Sequence, residues 1–287
     1  MNRRRGRPMY VLDVRVSGDS RWSARMRRGV KWVLGLGVVA VVAWGLARGG
    51  VWVLDRLLFA NPRFAIADVV IENDGVLEPR QVMRLAGVRP GQNLFDVDLE
   101  DVRRQLEMVP LIRRAEVRRE VPRRLRIRVE ERIPVFQTVW TTPSGREERL
   151  YLDASGVVMN RLRLPDGSVV EPRGAAMLPE LRGVPPTELL LGRRSQSERV
   201  QRALGVLEKW SASPMSLMLS LTSVDVEAER LVRVHTREGV VVSLGAEEVG
   251  AQLRRLGAIL LWARQHQRSV HEVNLTVASM VPVTLAN

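Results

Sequence analysis

The 287-residue chain contains no cysteine. That excludes a disulfide framework, a thiolate zinc site and a cysteine nucleophile. Histidine is nearly as scarce, with only His235, His266 and His271. His266 and His271 stand five apart, a poor spacing for one helical face. No His-Glu-x-x-His pair, nucleophile elbow or phosphate-binding glycine loop occurs. Carboxylates are plentiful, but they lie beside arginines, as surface ion pairs do. Glu116, Glu120 and Glu130 therefore read as hairpin surface and not as an acid/base pair. The expectation is a protein that is not an enzyme and has no metal, no cofactor and no small-molecule substrate. Without disulfides, any domain outside the cytoplasm must rest on its own core, and 45% hydrophobic residues is ample for one.

Charge is what the chain has in excess, at a formal +13. Residues 1–31 carry ten basic side chains against Asp13 and Asp19, or +8, leaving +5 for the rest. This basic head adjoins the one long apolar run, Trp32 to Ala47. As a helix the run would span roughly 24 Å, a little short of a hydrocarbon core of roughly 30 Å. Extension through Gly29 and Val30, with Lys31 reaching the headgroups, and through Val51 to Leu54 makes up the difference. Trp32, Val33, Leu34, Leu36, Val38, Val39, Val41, Val42, Trp44 and Leu46 are the expected membrane-anchor residues. The charge asymmetry puts the N-terminus in the cytoplasm and the folded remainder of the chain outside it. Three other readings compete. Gly45-Leu46-Ala47 offers the small residues of a signal-peptide cleavage site, although the basic region is about twice the usual length. Arg27-Arg28 loosely resembles a twin-arginine signal, and the run could be a buried core helix. Nucleic acid is not an expected partner, because most of the chain lies across the membrane from it.

Residues 1–28 read as a basic cytoplasmic tail, 29–54 as the transmembrane helix and 55–63 as a linker. Phe64 to Asn73 alternates towards its end and predicts a strand. Leu77 to Ala86 predicts a helix with Pro79 in its first turn, and Gly87 follows as its stop. Asp98 is placed to cap a second helix whose apolar residues are Val102, Leu106 and Val109. Pro110 ends it. Ile112 to Glu120 and Leu125 to Glu130 predict a hairpin, with Leu125, Ile127 and Val129 facing one way and Arg124, Arg126 and Arg128 the other. The arginine-rich face reads as solvated, with glutamates as counter-charges. The order is strand, helix, helix, strand, strand.

That order after a single-pass anchor resembles the POTRA domain of the bacterial cell-division family FtsQ/DivIB. The phrases that carry it are Val70 to Asn73, Gly91-Gln92-Asn93-Leu94-Phe95, Val109 to Val117, and Pro122 to Pro134. The likeness continues in Leu150 to Val158, with its aspartate-x-x-glycine turn, and in Leu178-Pro179-Glu180-Leu181-Arg182-Gly183. Residues 162–174 read as an exposed loop. Ser197 to Trp210 predicts an amphipathic helix with Val200, Ala203, Leu207 and Trp210 on its buried face. Strands are expected at 224–226, 231–235 and 240–244, and a long helix over 246–267 with Val249, Leu253, Leu256 and Leu260 inward. One or two strands close the chain between Val270 and Leu285. Where the family carries Asp-Leu-Arg-Tyr, this chain has Asn274-Leu275-Thr276-Val277.

The expected fold class is α+β: an anchor, a β-α-α-β-β POTRA domain over 64–132, and a mostly antiparallel β domain with flanking helices over 133–287. The resemblance implies a scaffold at the division septum of the inner membrane. It would bind FtsB- and FtsL-like single-pass proteins and other divisome components. An edge strand offers unpaired backbone groups for such a partner. The expected partner-binding edge is Val273, Asn274, Leu275, Thr276, Val277, Ala278 and Ser279. A POTRA-bearing accessory of envelope secretion or outer-membrane assembly is the alternative. It would need repeated POTRA units or a barrel, and neither pattern is visible. An anchored periplasmic hydrolase would need a convergent polar site.

Overall fold

In the computed structural model, residues 36–37, 39–46, 48, 61–141, 145–245, 247–277 and 281–286 are described. The chain divides into two compact units, Met1–Asn61 and Pro62–Asn287. In the first, the described residues are helical and exposed, Leu36, Val39, Val41, Val42, Trp44 and Leu46 among them. The expected anchor residues Trp32, Val33, Leu34 and Val38 lie outside the described residues. Among the described residues no helix is long and apolar enough to cross a membrane.

The second unit opens with a single turn of 3-10 helix, Pro62–Phe64, where the sequence predicts the start of a strand. The strand itself, β1, is Asp68–Asn73. Helix α1, Pro79–Leu85, begins at a proline, and the Glu78 N–H donates to Gln81 Oε1 at 2.9 Å. Helix α2, Leu99–Glu107, is capped by Asp98, whose Oδ1 accepts from the N–H groups of Glu100 (2.9 Å) and Asp101 (3.2 Å). These bonds satisfy donors that a helix start otherwise leaves open. Strands β2, Ile112–Glu120, and β3, Arg124–Glu131, form the hairpin. The sheet order is β1-β3-β2, with β1 parallel and β2 antiparallel to β3. Leu125, Ile127 and Val129 are buried under the helices with Val82 and Leu106. On the other face Glu72 bonds both Arg126 and Arg128, and Glu120 bonds Arg126. The Arg128 hydrogen bond is the main reason the Glu72 carboxyl lies below its ordinary pKa. Exposed arginines that already have carboxylate partners fit a solvated face.

The second domain is one large sheet with helices on a face. Its strands are β4 (Pro134–Thr141), β5 (Glu147–Asp153), β6 (Val158–Asn160), β9 (Glu180–Arg182), β10 (Leu221–Asp225), β11 (Leu231–Thr236), β12 (Val241–Gly245), β13 (Ser269–Asn274) and β14 (Val283–Ala286). They run in the order β14-β13-β12-β11-β10-β9-β4-β5-β6. Most neighbours are antiparallel, but β12–β13, β9–β10 and β4–β9 are parallel. Helices α3 (Glu198–Ser211) and α5 (Val249–Gln265) bury Val200, Ala203, Trp210, Leu253 and Leu256 against the sheet. A short helix α4, Met215–Met218, lies between α3 and β10. Buried Gln252 ties the end of β12 to the start of α5, accepting from Gly245 N–H at 2.9 Å.

The exposed loop expected over 162–174 is corrected. It carries a small hairpin, β7 (Leu162–Arg163) and β8 (Val169–Val170). Leu164 and Val170 are only 4% and 8% exposed, and they belong to the core of the first domain. Asp166 pairs with Arg84 of α1, and Arg173 Nη1 donates to Asp74 O at 3.3 Å. The proline and glycine content marks the turns but says nothing of what the apolar residues between them cover. That partner surface lies some 80 residues earlier in sequence.

Candidate partner-binding edge

A sheet of nine strands has two edges, and this one treats them differently. At the β6 edge, the 191–195 segment covers the backbone at the start of the strand. Val158 N–H donates to Arg193 O (3.0 Å) and Gly192 N–H to Val158 O (2.9 Å), with bridges from Val157 to Arg194 and from Val158 to Leu191. At the other end, no strand among the described residues pairs with the outer side of β14. Open edge strands template the addition of another strand unless they are blunted.

The expected edge of Val273 to Ser279 does not coincide with the open side of the sheet, which belongs to β14. Val273 and Asn274 lie in β13, which pairs with β12 on one side and β14 on the other. Val273 meets both Val242 and Val283. Val273 and Leu275 are fully buried. Thr276 and Val277 are exposed in the turn that leads out of β13, while Ala278 and Ser279 lie outside the described residues. The turn is pinned at two points. Asn274 Oδ1 accepts from Thr276 N–H (3.1 Å) and Oγ1 (2.6 Å). From α5, Arg255 reaches the carbonyls of Val277 (2.9 Å) and Leu275 (3.3 Å). An asparagine with the hydroxyl of a threonine two residues on favours a turn over continued strand. That is why the strand stops at Asn274.

Beside β14 lies an apolar groove of about 460 Å³, lined by Ala258, Ile259 and Trp262 of α5 and by Val283 of β14. Trp262 is 50% exposed, a large apolar surface to leave in water. Its ring stacks on His266, with centroids 4.4 Å apart. His266 Nδ1 sits 2.9 Å from Trp262 O at the end of the helix. Sequence reasoning missed this groove. The signal was present: α5 carries Ile259, Leu261 and Trp262 beyond what its buried stripe needs. A larger groove of about 1190 Å³ runs between α3 and the start of α5. Its rim mixes Glu198, Arg202, Lys209, Glu248 and Arg254, and it lies away from the sheet edge.

The three histidines sit on β11, at the end of α5 and on β13. Among the described residues no cluster of three or more His, Asp or Glu side chains could hold a metal ion.

Comparison with known proteins accords with these features. The family model described as POTRA domain, FtsQ-type, matches residues 64–132. The model described as Cell division protein FtsQ/DivIB, C-terminal, matches residues 138–274. The chain is 26% identical over 262 residues to a Cell division protein FtsQ of Syntrophotalea carbinolica, covering 91% of this chain and 86% of that one. It is 28% identical over 228 residues to its namesake in Myxococcus fulvus, covering 79% and 73%. With the Geobacter sp. protein of the same name it shares 26% over 250 residues, 87% and 85% of the two chains. A POTRA domain followed by the FtsQ/DivIB C-terminal domain, matched in this order along one chain, makes this protein a member of the FtsQ/DivIB family of cell-division proteins.

Proposed function

We propose that this chain is a non-enzymatic, membrane-anchored scaffold of the bacterial divisome. Residues 29–54 hold it in the inner membrane with the N-terminus cytoplasmic. The two folded domains stand outside, at the septum, and link early division proteins to septal peptidoglycan synthesis. The partners are FtsB- and FtsL-like single-pass proteins. An extended segment of one of them adds to the free side of β14, and an apolar side chain of that segment fills the groove at Ile259, Trp262 and Val283. Main-chain hydrogen bonds supply affinity and the groove supplies selectivity. The turn at Thr276 and Val277 borders this surface.

The observation that carries this reading is the contrast between the two sheet edges: β6 is covered at its start by the 191–195 segment and β14 is open, next to a half-exposed tryptophan. The test is co-purification from detergent-solubilised membranes through an N-terminal tag, with mass spectrometry of the recovered proteins. FtsB- and FtsL-like proteins recovered with the tag retained support the anchor and the scaffold together. A mature protein that has lost the tag contradicts the uncleaved anchor. Retention of the tag without those partners contradicts the scaffold reading.

A further inference from the structure

Three segments meet where the chain enters the first domain. Ile66 exchanges backbone bonds with the 91–92 turn: Gly91 N–H donates to Ile66 O and Ile66 N–H to Gln92 O, both at 2.8 Å. The tip of the β2–β3 hairpin folds over the same stretch. Ala67 N–H donates to Arg123 O at 2.8 Å, and Arg123 Nε to Ala65 O at 3.3 Å. These bonds bring the segments that carry Arg63, Arg89, Arg123 and Arg124, all exposed, to one end of the domain, together with Val121, which is 64% exposed beside Pro122. Asp68 and Glu120 pair with Arg124, at 3.2 and 3.7 Å. Arg119 serves the interior instead, donating to the carbonyls of Leu94 and Val97.

This end is also tethered. If the anchor ends at residue 54, seven residues separate it from Pro62. At no more than about 3.6 Å each they allow roughly 25 Å. A short tether raises the effective concentration of the surface at the bilayer to the millimolar range, so weak contacts suffice. Arginine forks pair with phosphate oxygens in bidentate fashion, and a small apolar tip beside them suits the headgroup boundary.

We propose that this end of the POTRA domain docks on the anionic phospholipid headgroups of the leaflet facing it. Arg89 and Arg123 meet lipid phosphates, and Val121 enters the interface. Docking fixes the orientation of the domain on the membrane. The inference rests on the membrane-anchored reading above.

The absence of native cysteine makes the test direct. Full-length Val121→Cys, Gln92→Cys and Leu217→Cys variants each carry one polarity-sensitive fluorophore. Each is reconstituted into vesicles containing phosphatidylglycerol or into vesicles of phosphatidylcholine alone. Leu217, 91% exposed in the other domain, is the control. The expected result is a blue shift at positions 121 and 92 in phosphatidylglycerol vesicles only. Arg89→Glu with Arg123→Glu abolishes the shift, and the label at 217 stays water-like throughout. Water-like emission at 121 and 92 from chains that float with phosphatidylglycerol vesicles overturns the docking while leaving the anchor intact. Failure of the chain to float with any vesicle overturns the anchored reading and the docking with it.

Discussion

Arg132 Nη1 lies 2.9 Å from Asp153 Oδ2, joining the residue after β3 to the last residue of β5. The pair sits at the junction of the two folded domains. Asp153 also accepts from Ser155 N–H and Val157 N–H, both at 2.9 Å, and so shapes the turn that ends β5. Around it Leu111, Tyr151, Met159 and Ala175 form a small core drawn from both domains. Strand β5 supports this by facing two ways: Leu150 and Leu152 enter the helix-covered core, while Tyr151 faces the junction. The POTRA domain and the β domain thus share packing, consistent with their forming a single compact unit.

Removing one member of this largely buried pair should be costly. Asp153→Ala leaves Arg132 and two backbone N–H groups without their acceptor. A loss of roughly 3 kcal/mol is expected. The check is a urea unfolding curve, with a lower midpoint and an unchanged slope.

Acid should act through the same group. Burial opposes ionisation of Asp153, but the bonds from Ser155, Val157 and Arg132 outweigh it and hold the carboxyl below its ordinary value of 3.8. A depressed folded-state pKa gives stability that is present above the ordinary value and lost as pH falls through the folded one. Asp166, on the β7–β8 hairpin, is held at about 2, first by the Ser168 hydroxyl and then by the Ser168 N–H and Arg84. Unfolding midpoints should therefore fall as pH drops from about 4 towards about 2. Asp153→Asn should flatten that slope. A parallel fall in the variant and the parent would contradict the assignment.

The β7–β8 hairpin is the second link between the domains. Leu164→Ala should cost about 2–4 kcal/mol, the range for a buried leucine whose site does not collapse. Because Leu164 is packed in the POTRA core, the loss should appear in the unfolding of both domains together. Probes placed in each domain test this by whether their midpoints move in step.

Glu131 organises the other end of the POTRA domain. Its carboxylate accepts from Asn73 Nδ2 (2.7 Å), Val76 N–H (2.9 Å) and Leu77 N–H (2.7 Å), closing the turn from β1 to α1. Glu131→Ala should cost roughly 3 kcal/mol through unpaired donors, and Glu131→Gln less, because one acceptor remains. Thermal unfolding of the two variants ranks them.

Much of this architecture is local and could be read along the chain. The cap at Asp98, the proline start of α1, the alternation of Leu125, Ile127 and Val129 and the stripe of α3 all depend on residues within one or two turns. The missed features are those set by distant partners. Nothing near Leu164 announces that its cover is the POTRA core. Nothing near Val273 announces that β14 returns to flank it. The parallel pairing of β12 and β13 across α5 buries β13 on both sides. The outer place falls to β14, a four-residue strand in a segment that reads equally well as one strand or two. Trp262 was legible in principle, as an aromatic residue outside the buried stripe of its helix. A single sequence gives no sign of which sheet edge it would adjoin.

Trp262 should matter more for binding than for folding. Half its surface is already in water, so Trp262→Ala should lower the thermal midpoint less than truncation of the fully buried Trp210. If the groove takes a partner side chain, affinity should fall by about 2 kcal/mol, roughly thirtyfold. Titration of the purified partner against both forms measures this.

The open edge itself is tested most directly by site-specific photo-crosslinking in living cells. A photoreactive amino acid replaces Thr284 in β14 or, in a separate strain, Asn160 in β6 at the opposite edge of the sheet. Partner addition at β14 predicts a crosslink from position 284 to an FtsB-like single-pass protein and none from position 160. No crosslink at 284, in cells where the partner still co-purifies with the chain, would contradict it.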